Sequence, residues 1–199
     1  MAGYLTLDLP ACLGEEDTAC LPVLTFKIRL AVAVLEVLFK VQRHILAKLK
    51  VNRGSAYFDL GEKEKAIEDF TRAVQIDPKL AMAYSNRGSA YFDLGQKEKA
   101  IRDFTQAIQI DPKYANAYFN RGTAYSELGE KEKAVEDYTQ AIQIDPKYTD
   151  AYFNRGYVYG ELGEKDLGIM DFQKCVELTA NPELRMFAEE KIKELTQLK

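Results

Sequence analysis

NRGSAYFDLGQKEKAIRDFTQAIQIDPKYANAYF, residues 86–119, is followed at once by NRGTAYSELGEKEKAVEDYTQAIQIDPKYTDAYF, residues 120–153, and the two stretches are identical at 25 of 34 positions. Diverged copies of the pattern begin at Asn52 and Asn154. This period is typical of a helix-turn-helix unit, which cannot bury its apolar face alone and must stack on further copies. The sequence therefore predicts a tandem array of helix pairs.

Each copy contains its own signals for two helices. In the copy that begins at residue 81, the second half has apolar residues on one side at helical spacing and polar residues on the other. This helix is predicted to end at Asp111, because Pro112 disfavours helical dihedral angles in the residue before it and has no N–H to donate. The first half is predicted to end at Gly95, since glycine most readily adopts the left-handed cap conformation.

Small and aromatic residues recur at fixed offsets in the copies: Gly54, Gly88, Gly122 and Gly156; Tyr57, Tyr91, Tyr125 and Tyr159; Ala66, Ala100 and Ala134; Phe70, Phe104, Tyr138 and Phe172; Ala73, Ala107 and Ala141; Pro78, Pro112 and Pro146. This pattern resembles the tetratricopeptide repeat (TPR). The resemblance implies an all-α fold, a right-handed TPR solenoid of four helix-turn-helix repeats. Those repeats are residues 47–80, 81–114, 115–148 and 149–182.

The copies also depart from the family pattern. The leucine position is always arginine, at Arg53, Arg87, Arg121 and Arg155, and an aspartate recurs in the second helix at Asp69, Asp103, Asp137 and Asp171. We expect each arginine to pair with the aspartate of its own repeat. In the last copy Gly168 replaces an alanine, and glycine inside a helix costs about 1 kcal/mol relative to alanine. The sequence therefore predicts that the fourth repeat is the least stable and that Gly168→Ala stabilises it.

Three segments flank the repeats. Residues 1–23 are expected to be irregular or disordered, because they combine prolines, Gly14 and an acidic run. Residues 183–199 are predicted to form a C-terminal capping helix, with Asn181 as its N-cap and an apolar stripe of Leu184, Phe187, Ala188, Ile192 and Leu195. Residues 24–46 are predicted to form an N-terminal amphipathic helix. In the stretch from residue 24 to residue 50, one side has the apolar residues Leu30, Val34, Leu38, Val41, Ile45 and Leu49.

The role of the N-terminal helix has three interpretations. A cap over the first repeat is favoured, and a membrane-surface anchor or a self-association helix that makes a homo-oligomer through residues 24–50 are the alternatives. A membrane span is not expected, because the uncharged run from Leu30 to Leu35 is far shorter than the roughly 20 residues needed. A signal peptide is not expected either, because acidic residues precede the apolar stretch.

Composition argues against several functional classes. The formal net charge is −4, which disfavours binding to a nucleic acid. Cys12, Cys20 and Cys175 show no metal-ligand spacing, so no metal or other cofactor is expected, and a reducing, cytoplasmic location is favoured over a Cys12–Cys20 disulfide. The only histidine is His44, and the acidic residues recur with the repeat rather than as one acid/base pair. The chain is therefore not expected to be an enzyme, and no catalytic residue is assigned.

Binding is expected on the concave surface, which the resemblance places along the first helix of each repeat. Counted from the glycine, the positions assigned to this groove are Asn52, Asn86, Asn120 and Asn154; Ser55, Ser89, Thr123 and Tyr157; Phe58, Phe92, Phe119 and Phe153; and Asp59, Asp93, Glu127 and Glu161. An amide both donates and accepts hydrogen bonds, so an asparagine ladder can pair with the backbone of a peptide.

The charge of these positions indicates the kind of partner. Some TPR domains use lysine and arginine to hold the terminal carboxylate of chaperone tails, but of the equivalent positions only Lys48 is basic here; the others are Met82, Asn116 and Asp150. An acidic, aromatic groove favours a basic or neutral, partly apolar peptide. The predicted function is a non-catalytic protein-protein interaction scaffold that binds a peptide segment in its groove. The alternative is a self-assembling or membrane-surface adaptor acting through the N-terminal helix.

Overall fold

A computed structural model describes residues 20–197, and the side chains of residues 25–197. Within residues 20–197 all regular structure is α-helical. The helices are α1 (Cys20–Asp59), α2 (Lys63–Ile76), α3 (Ala81–Asp93), α4 (Lys97–Ile110), α5 (Ala115–Glu127), α6 (Lys131–Ile144), α7 (Thr149–Glu161), α8 (Lys165–Leu178) and α9 (Pro182–Gln197). The chain divides into two compact units, residues 1–44 and residues 45–199.

The unit of residues 45–199 is an array of helix pairs. Helix α3 packs against α4, α5 against α6 and α7 against α8, and the second helix of each repeat also packs against the first helix of the next. The first helices of neighbouring repeats, α3 with α5 and α5 with α7, touch each other as well. Each repeat thus buries its apolar faces against the adjacent copies, as an array of this kind requires. The predicted all-α repeat architecture is confirmed.

The predicted helix ends are confirmed in the repeat of α3 and α4. Gly95 has a φ of 72°, which is the left-handed region. Its N–H donates to the carbonyl of Phe92, and the N–H of Gln96 donates to the carbonyl of Tyr91, both at 2.8 Å, so the last carbonyls of α3 are satisfied. Asp111 has φ −128° and ψ 93°, an extended conformation that ends α4 before Pro112.

Close approach of the two helices in a repeat depends on the family glycine. A Cβ on Gly88 would lie 2.7 Å from Cε1 of Phe104, and a Cβ on Gly54 would lie equally close to Phe70. Phe104 fills the space that the missing side chain leaves and is only 1% exposed. Ala100 and Ala107, one helical turn before and after Phe104, are completely buried, and so is Ala90 in the first helix. The core of each repeat is therefore one large ring among small residues.

Gly168 has a packing role that its sequence position did not indicate. A Cβ at this site would lie 3.0 Å from the carbonyl oxygen of Gly156, 3.1 Å from Cδ1 of Leu195 and 3.4 Å from the backbone nitrogen of Gly160. Two of these three neighbours are backbone atoms, which cannot rotate away. The expectation that alanine would stabilise this position is therefore wrong, because the glycine is what permits α7 and α8 to approach.

Gly168→Ala is now expected to lower the free energy of unfolding by about 1–2 kcal/mol, because the cost of overpacking exceeds the helix-propensity gain. Chemical denaturation of both proteins measures the difference. Asp166→Ala is the control, since Asp166 is an exposed residue of the same helix and its change should have little effect. A gain in stability for Gly168→Ala would contradict the packing role.

The C-terminal helix caps the array as expected, with one correction. The N–H groups of Glu183 and Leu184 donate to Oδ1 of Asn181 at 2.9 and 3.3 Å, which confirms the predicted N-cap. Ala188 and Leu195 are buried together with residues of the fourth repeat. Phe187 was predicted to belong to the same apolar stripe, but it is 50% exposed. The buried face is thus narrower than the sequence indicated.

The N-terminal helix begins earlier than its predicted boundary. Helix α1 starts at Cys20 rather than at residue 24, and it continues without a break into the first helix of the first repeat. The rest of the predicted irregular segment, residues 1–19, lies outside the described residues, and so does Cys12. All side chains from residue 25 to residue 46 are exposed. Among the described residues, no helix is long and apolar enough to cross a membrane.

Candidate peptide-binding surface

A repeated arginine side chain holds the first helix of each repeat in place. Nε and Nη2 of Arg87 donate to the two carboxylate oxygens of Asp103 at 2.7 and 2.8 Å, a bidentate geometry that fixes α3 on α4. The same pairing joins Arg53 to Asp69, Arg121 to Asp137 and Arg155 to Asp171. The predicted pair is therefore confirmed in all four repeats.

The same arginines also connect consecutive repeats, which sequence reasoning missed. Nη1 of Arg87 donates to Oγ1 of Thr71 at 3.2 Å, in the second helix of the preceding repeat. Arg121 and Arg155 make the equivalent contacts to Thr105 and Thr139 at 3.0 and 2.8 Å. The sequence did contain a signal for this contact, because Thr71, Thr105 and Thr139 occupy the same position in three repeats. Helices α3, α5 and α7 are thus each positioned by both of the second helices that flank them.

The hydrogen bonds of these pairs also affect ionisation. The hydrogen bond from Arg53 lowers the pKa of Asp69 below its usual value, against the opposing effect of burial. Asp69 consequently stays ionised and keeps its guanidinium partner throughout the physiological range. The Arg53–Asp69 pair therefore stays charged at neutral pH, whereas in the third repeat burial raises the pKa of Asp137 above its usual value, against the opposing hydrogen bond from Arg121.

Two neighbouring cavities open along the first helices of the repeats, the first between α1 and α3 and the second along α3, α5 and α7. The first has a volume of about 230 Å³ and is lined by Ser55, Phe58, Asp59, Phe70, Asn86 and Ser89. The second has a volume of about 270 Å³ and is lined by Ser89, Phe92, Asp93, Phe104, Phe119, Asn120, Thr123 and Asn154. Five residues of the second cavity are the repeat equivalents, 34 positions later, of residues that line the first. They are Ser89, Phe92, Asp93, Phe104 and Asn120, which correspond to Ser55, Phe58, Asp59, Phe70 and Asn86. The two cavities are thus copies of one construction, a single repeat apart.

A third cavity, of about 210 Å³, lies at the end of the array. It is lined by Gly156, Tyr157, Gly160, Glu161, Phe172, Lys191, Glu194 and Leu195. Its wall is shared with the capping helix α9, and the aliphatic chain of Leu195 lies 3.3 Å from the Cβ position of Gly160. The capping helix therefore narrows this end of the surface, and the first two cavities are the better candidates for a ligand.

Three predicted site residues lie outside these cavities. Asn52 is exposed. Phe153 packs edge-on against the ring of Phe172, with centroids 5.3 Å apart, and so belongs to the core of the fourth repeat. Glu127 pairs with Lys97. The other predicted residues line one of the three cavities.

Part of the asparagine ladder is engaged within the array. Nδ2 of Asn86 donates to Oγ of Ser55 at 3.2 Å, and Asn154 hydrogen-bonds to the hydroxyl of Tyr138. That hydroxyl also donates to Oγ1 of Thr123 at 3.2 Å. An amide side chain has two N–H groups and one carbonyl oxygen, so each of these residues keeps hydrogen-bonding capacity for a ligand. The internal bonds hold the amides in fixed orientations along the surface.

The acidic row is partly neutralised by lysines that the sequence analysis did not consider. Nζ of Lys63 lies 3.2 Å from Asp93, Nζ of Lys97 lies 2.8 Å from Glu127, and Nζ of Lys131 lies 3.3 Å from Glu161. Each pair joins the second helix of one repeat to the end of the first helix of the next. The recurrence of lysine at one offset could have revealed these pairs. The surface is consequently less acidic than its carboxylates alone suggested.

Aromatic packing makes the wall of the second cavity rigid. The ring of Phe119 lies with its centroid 5.0 Å from that of Tyr148 and 5.8 Å from that of Tyr138. Tyr138 is fully buried. Because Phe119 is held on two sides, it can present its remaining ring surface to a bound side chain without losing further conformational freedom.

The described residues contain no arrangement that suggests a metal centre. Among them, no group of three or more His, Cys, Asp or Glu side chains is placed to hold a metal ion. The thiol of Cys175 is buried, and burial raises its pKa to about 11, so the thiol stays protonated at neutral pH.

The chain is similar to known repeat proteins. The family model described as TPR repeat matches residues 54–95, 88–129 and 122–163. The family model described as Tetratricopeptide repeat matches residues 149–182. No curated protein sequence is significantly similar.

Several solved structures share the fold. A crystal structure of MamA is 32% identical, with a TM-score of 0.63, and the match covers 74% of this chain and 81% of that one. The first TPR of Spaghetti (RPAP3), solved bound to the HSP90 peptide SRMEEVD, is 29% identical, with a TM-score of 0.58. The match covers 59% of this chain and 94% of that one. A thermophilic TPR protein of Thermus thermophilus shares the fold at 24% identity and a TM-score of 0.63. The match covers 75% of this chain and 80% of that one. Since the family models together span residues 54–182, more than half of the chain, this protein belongs to the tetratricopeptide repeat family.

Proposed function

We propose that this protein is a non-catalytic interaction scaffold that binds an extended peptide segment along the first helices of its repeats. The observation that carries the proposal is the pair of matching cavities, one repeat apart, along the first helices. Each has a phenylalanine from the second helix as its floor, Phe70 or Phe104, and an asparagine at its edge, Asn86 or Asn120. An apolar floor beside a backbone-binding amide suits one side chain and one peptide group of a ligand.

A structural neighbour supports a peptide ligand but differs in chemistry. The first TPR of RPAP3 binds an HSP90 peptide whose sequence, SRMEEVD, contains three acidic residues. The present chain offers carboxylates instead: Asp59 lines the first cavity, and Asp93, which is paired with Lys63, lines the second. Asp150 is exposed at one of the positions where related domains carry a cation. Charge complementarity therefore favours a basic or neutral ligand over an acidic tail.

The repeat geometry also sets the spacing of the ligand's side chains. The first helices of neighbouring repeats are in contact, and packed helices have axes about 8–10 Å apart. An extended chain in the polyproline II conformation rises about 3.1 Å per residue and has three residues per turn, so side chains three residues apart lie on the same side, about 9 Å apart, and can reach neighbouring cavities. The proposed ligand thus has two apolar side chains about three residues apart, with Lys or Arg near them.

Selection from a random peptide display library with the full chain as bait, followed by affinity measurement on the selected peptides, tests this function. Asn86→Ala combined with Asn120→Ala is expected to weaken binding about tenfold, because each neutral hydrogen bond contributes about 0.5–1.5 kcal/mol. The matched control is Gln75→Ala with Gln109→Ala, which removes two exposed amides from the second helices. Peptides that bind the double asparagine variant with unchanged affinity would place the ligand site on another surface.

A further inference from the structure

Residues 25–46 of α1 form a continuously exposed segment that the peptide-binding function does not use. Every side chain in it is exposed, and more than half of them are large and apolar: Phe26, Ile28, Leu30, Val32, Val34, Leu35, Val37, Leu38, Phe39, Val41, Ile45 and Leu46. Contiguous exposed apolar surface of this extent marks an interaction site in most proteins. The segment is about 33 Å long at 1.5 Å per residue.

The apolar side chains are spread around a wide face. With 3.6 residues per turn, the stripe of Leu30, Val34, Leu38 and Val41 is flanked on one side by Val37 and on the other by Leu35 and Phe39, together covering more than half of the helix circumference. A two-stranded helix pair buries only a narrow stripe of positions a and d. A single partner helix would therefore leave much of this face in water, whereas an extended apolar medium covers all of it.

The remaining face is basic. Arg29, Glu36, Lys40 and Arg43 are spaced seven, four and three residues apart, so they lie along one side of the helix. With Lys27, residues 25–46 carry four cations against one carboxylate. Lys27 itself falls on the apolar side near the start of the segment, where a long lysine can extend its ammonium group to a polar boundary. Two such helices placed side by side would bring like charges together, whereas an anionic surface complements them.

We propose that residues 25–46 bind the surface of an anionic lipid membrane, with the helix lying in the plane of the interface. The apolar face enters the boundary between headgroups and acyl chains, while Arg29, Lys40 and Arg43 contact the anionic headgroups. The charged residues interrupt the apolar sequence of the segment, which agrees with an interfacial position. Among the described residues, no helix has the apolar length to cross the bilayer. The attached array of repeats is held at the membrane by this contact.

Flotation of the full chain with lipid vesicles tests the proposal, because aggregated protein does not float. Vesicles of phosphatidylcholine with about 30% phosphatidylserine are compared with vesicles of phosphatidylcholine alone, since anionic lipid attracts basic residues near the membrane surface. The protein is expected to float with the anionic vesicles at least tenfold more strongly, and added salt is expected to reduce this preference. Equal binding to both vesicle types, or binding to neither, would overturn the proposal.

Two pairs of variants separate the apolar and electrostatic contributions. Val34→Glu with Leu38→Glu is expected to reduce flotation at least tenfold, and Arg29→Gln with Lys40→Gln to reduce the preference for anionic vesicles severalfold. The matched control, Gln75→Glu with Gln109→Glu, adds the same two negative charges to exposed positions of the array and should float like the parent protein. Because these changes lie outside the cavities, peptide binding and the helical circular dichroism should be unchanged.

The competing occupant is a second copy of the chain. Light scattering over a range of protein concentrations without lipid detects it. If the parent protein does not float but forms a dimer or larger assembly that Val34→Glu with Leu38→Glu converts to a monomer, the face is a self-association surface and the membrane proposal is wrong.

Discussion

Phe104→Ala is expected to lower the free energy of unfolding by about 3–5 kcal/mol, the range found for deleting a buried phenylalanine ring. Phe104 is 1% exposed, and its ring fills the space beside Gly88, where a Cβ would lie only 2.7 Å from Cε1 of the ring. The alanines one helical turn away, Ala100 and Ala107, have no flexible side chain with which to fill the space that the ring would leave. Relaxation can therefore recover little of the lost stability. Urea denaturation monitored by circular dichroism measures the change, and the m-value reports whether the array still unfolds as one unit.

Phe187→Ala is the matched control for this experiment. It makes the same chemical change in the capping helix, where the ring is 50% exposed, and it should cost less than about 1 kcal/mol. If Phe104→Ala destabilises the protein no more than Phe187→Ala does, then the ring beneath the family glycine is not the central packing element of the repeat.

Asp103→Ala is expected to have the second largest effect, a loss of about 2–4 kcal/mol. The change leaves the mostly buried guanidinium of Arg87 without its bidentate partner, and an unpaired buried charge is more costly than the pair itself. It also loosens the arginine that contacts Thr71 in the preceding repeat. Thermal and denaturant unfolding should therefore both report a less stable array.

Two further variants identify the physical cause of that loss. Asp93→Ala removes a carboxylate that is 39% exposed and paired with Lys63, and it should cost less than about 1 kcal/mol. Arg87→Met combined with Asp103→Leu removes both charges together and should recover much of the stability lost in Asp103→Ala. A double variant that is as unstable as Asp103→Ala would show that the pair stabilises the array through its hydrogen bonds rather than by avoiding an unpaired charge.

The candidate site could be predicted from the sequence wherever a residue repeats at a constant offset. The pairing of Arg87 with Asp103 was predicted because both positions recur in every copy, and four repetitions exclude coincidence. The contact between Arg87 and Thr71 was missed although it obeys the same rule, because it joins two different repeats. The pairing of Lys63 with Asp93 was missed for the same reason, and its omission made the surface look more acidic than it is.

The sequence by itself determined the helices of the repeats, the residues at which they end and the stacking of the repeats, although not the start of α1. These features follow from signals that act within a few residues, such as the left-handed φ of Gly95 and the extended conformation of Asp111 before Pro112. Repetition of the period then requires that each apolar face meets a copy of itself.

Only the tertiary structure decided which of these residues are packed tightly and which are exposed. Gly168 looked like a weak point but permits α7 and α8 to approach, and Phe187 looked buried but is exposed. The two matching cavities exist because the first helices of consecutive repeats leave space beside the rings of Phe70 and Phe104. Distances between such elements depend on the packing of the whole array, so no local pattern in the sequence contains them.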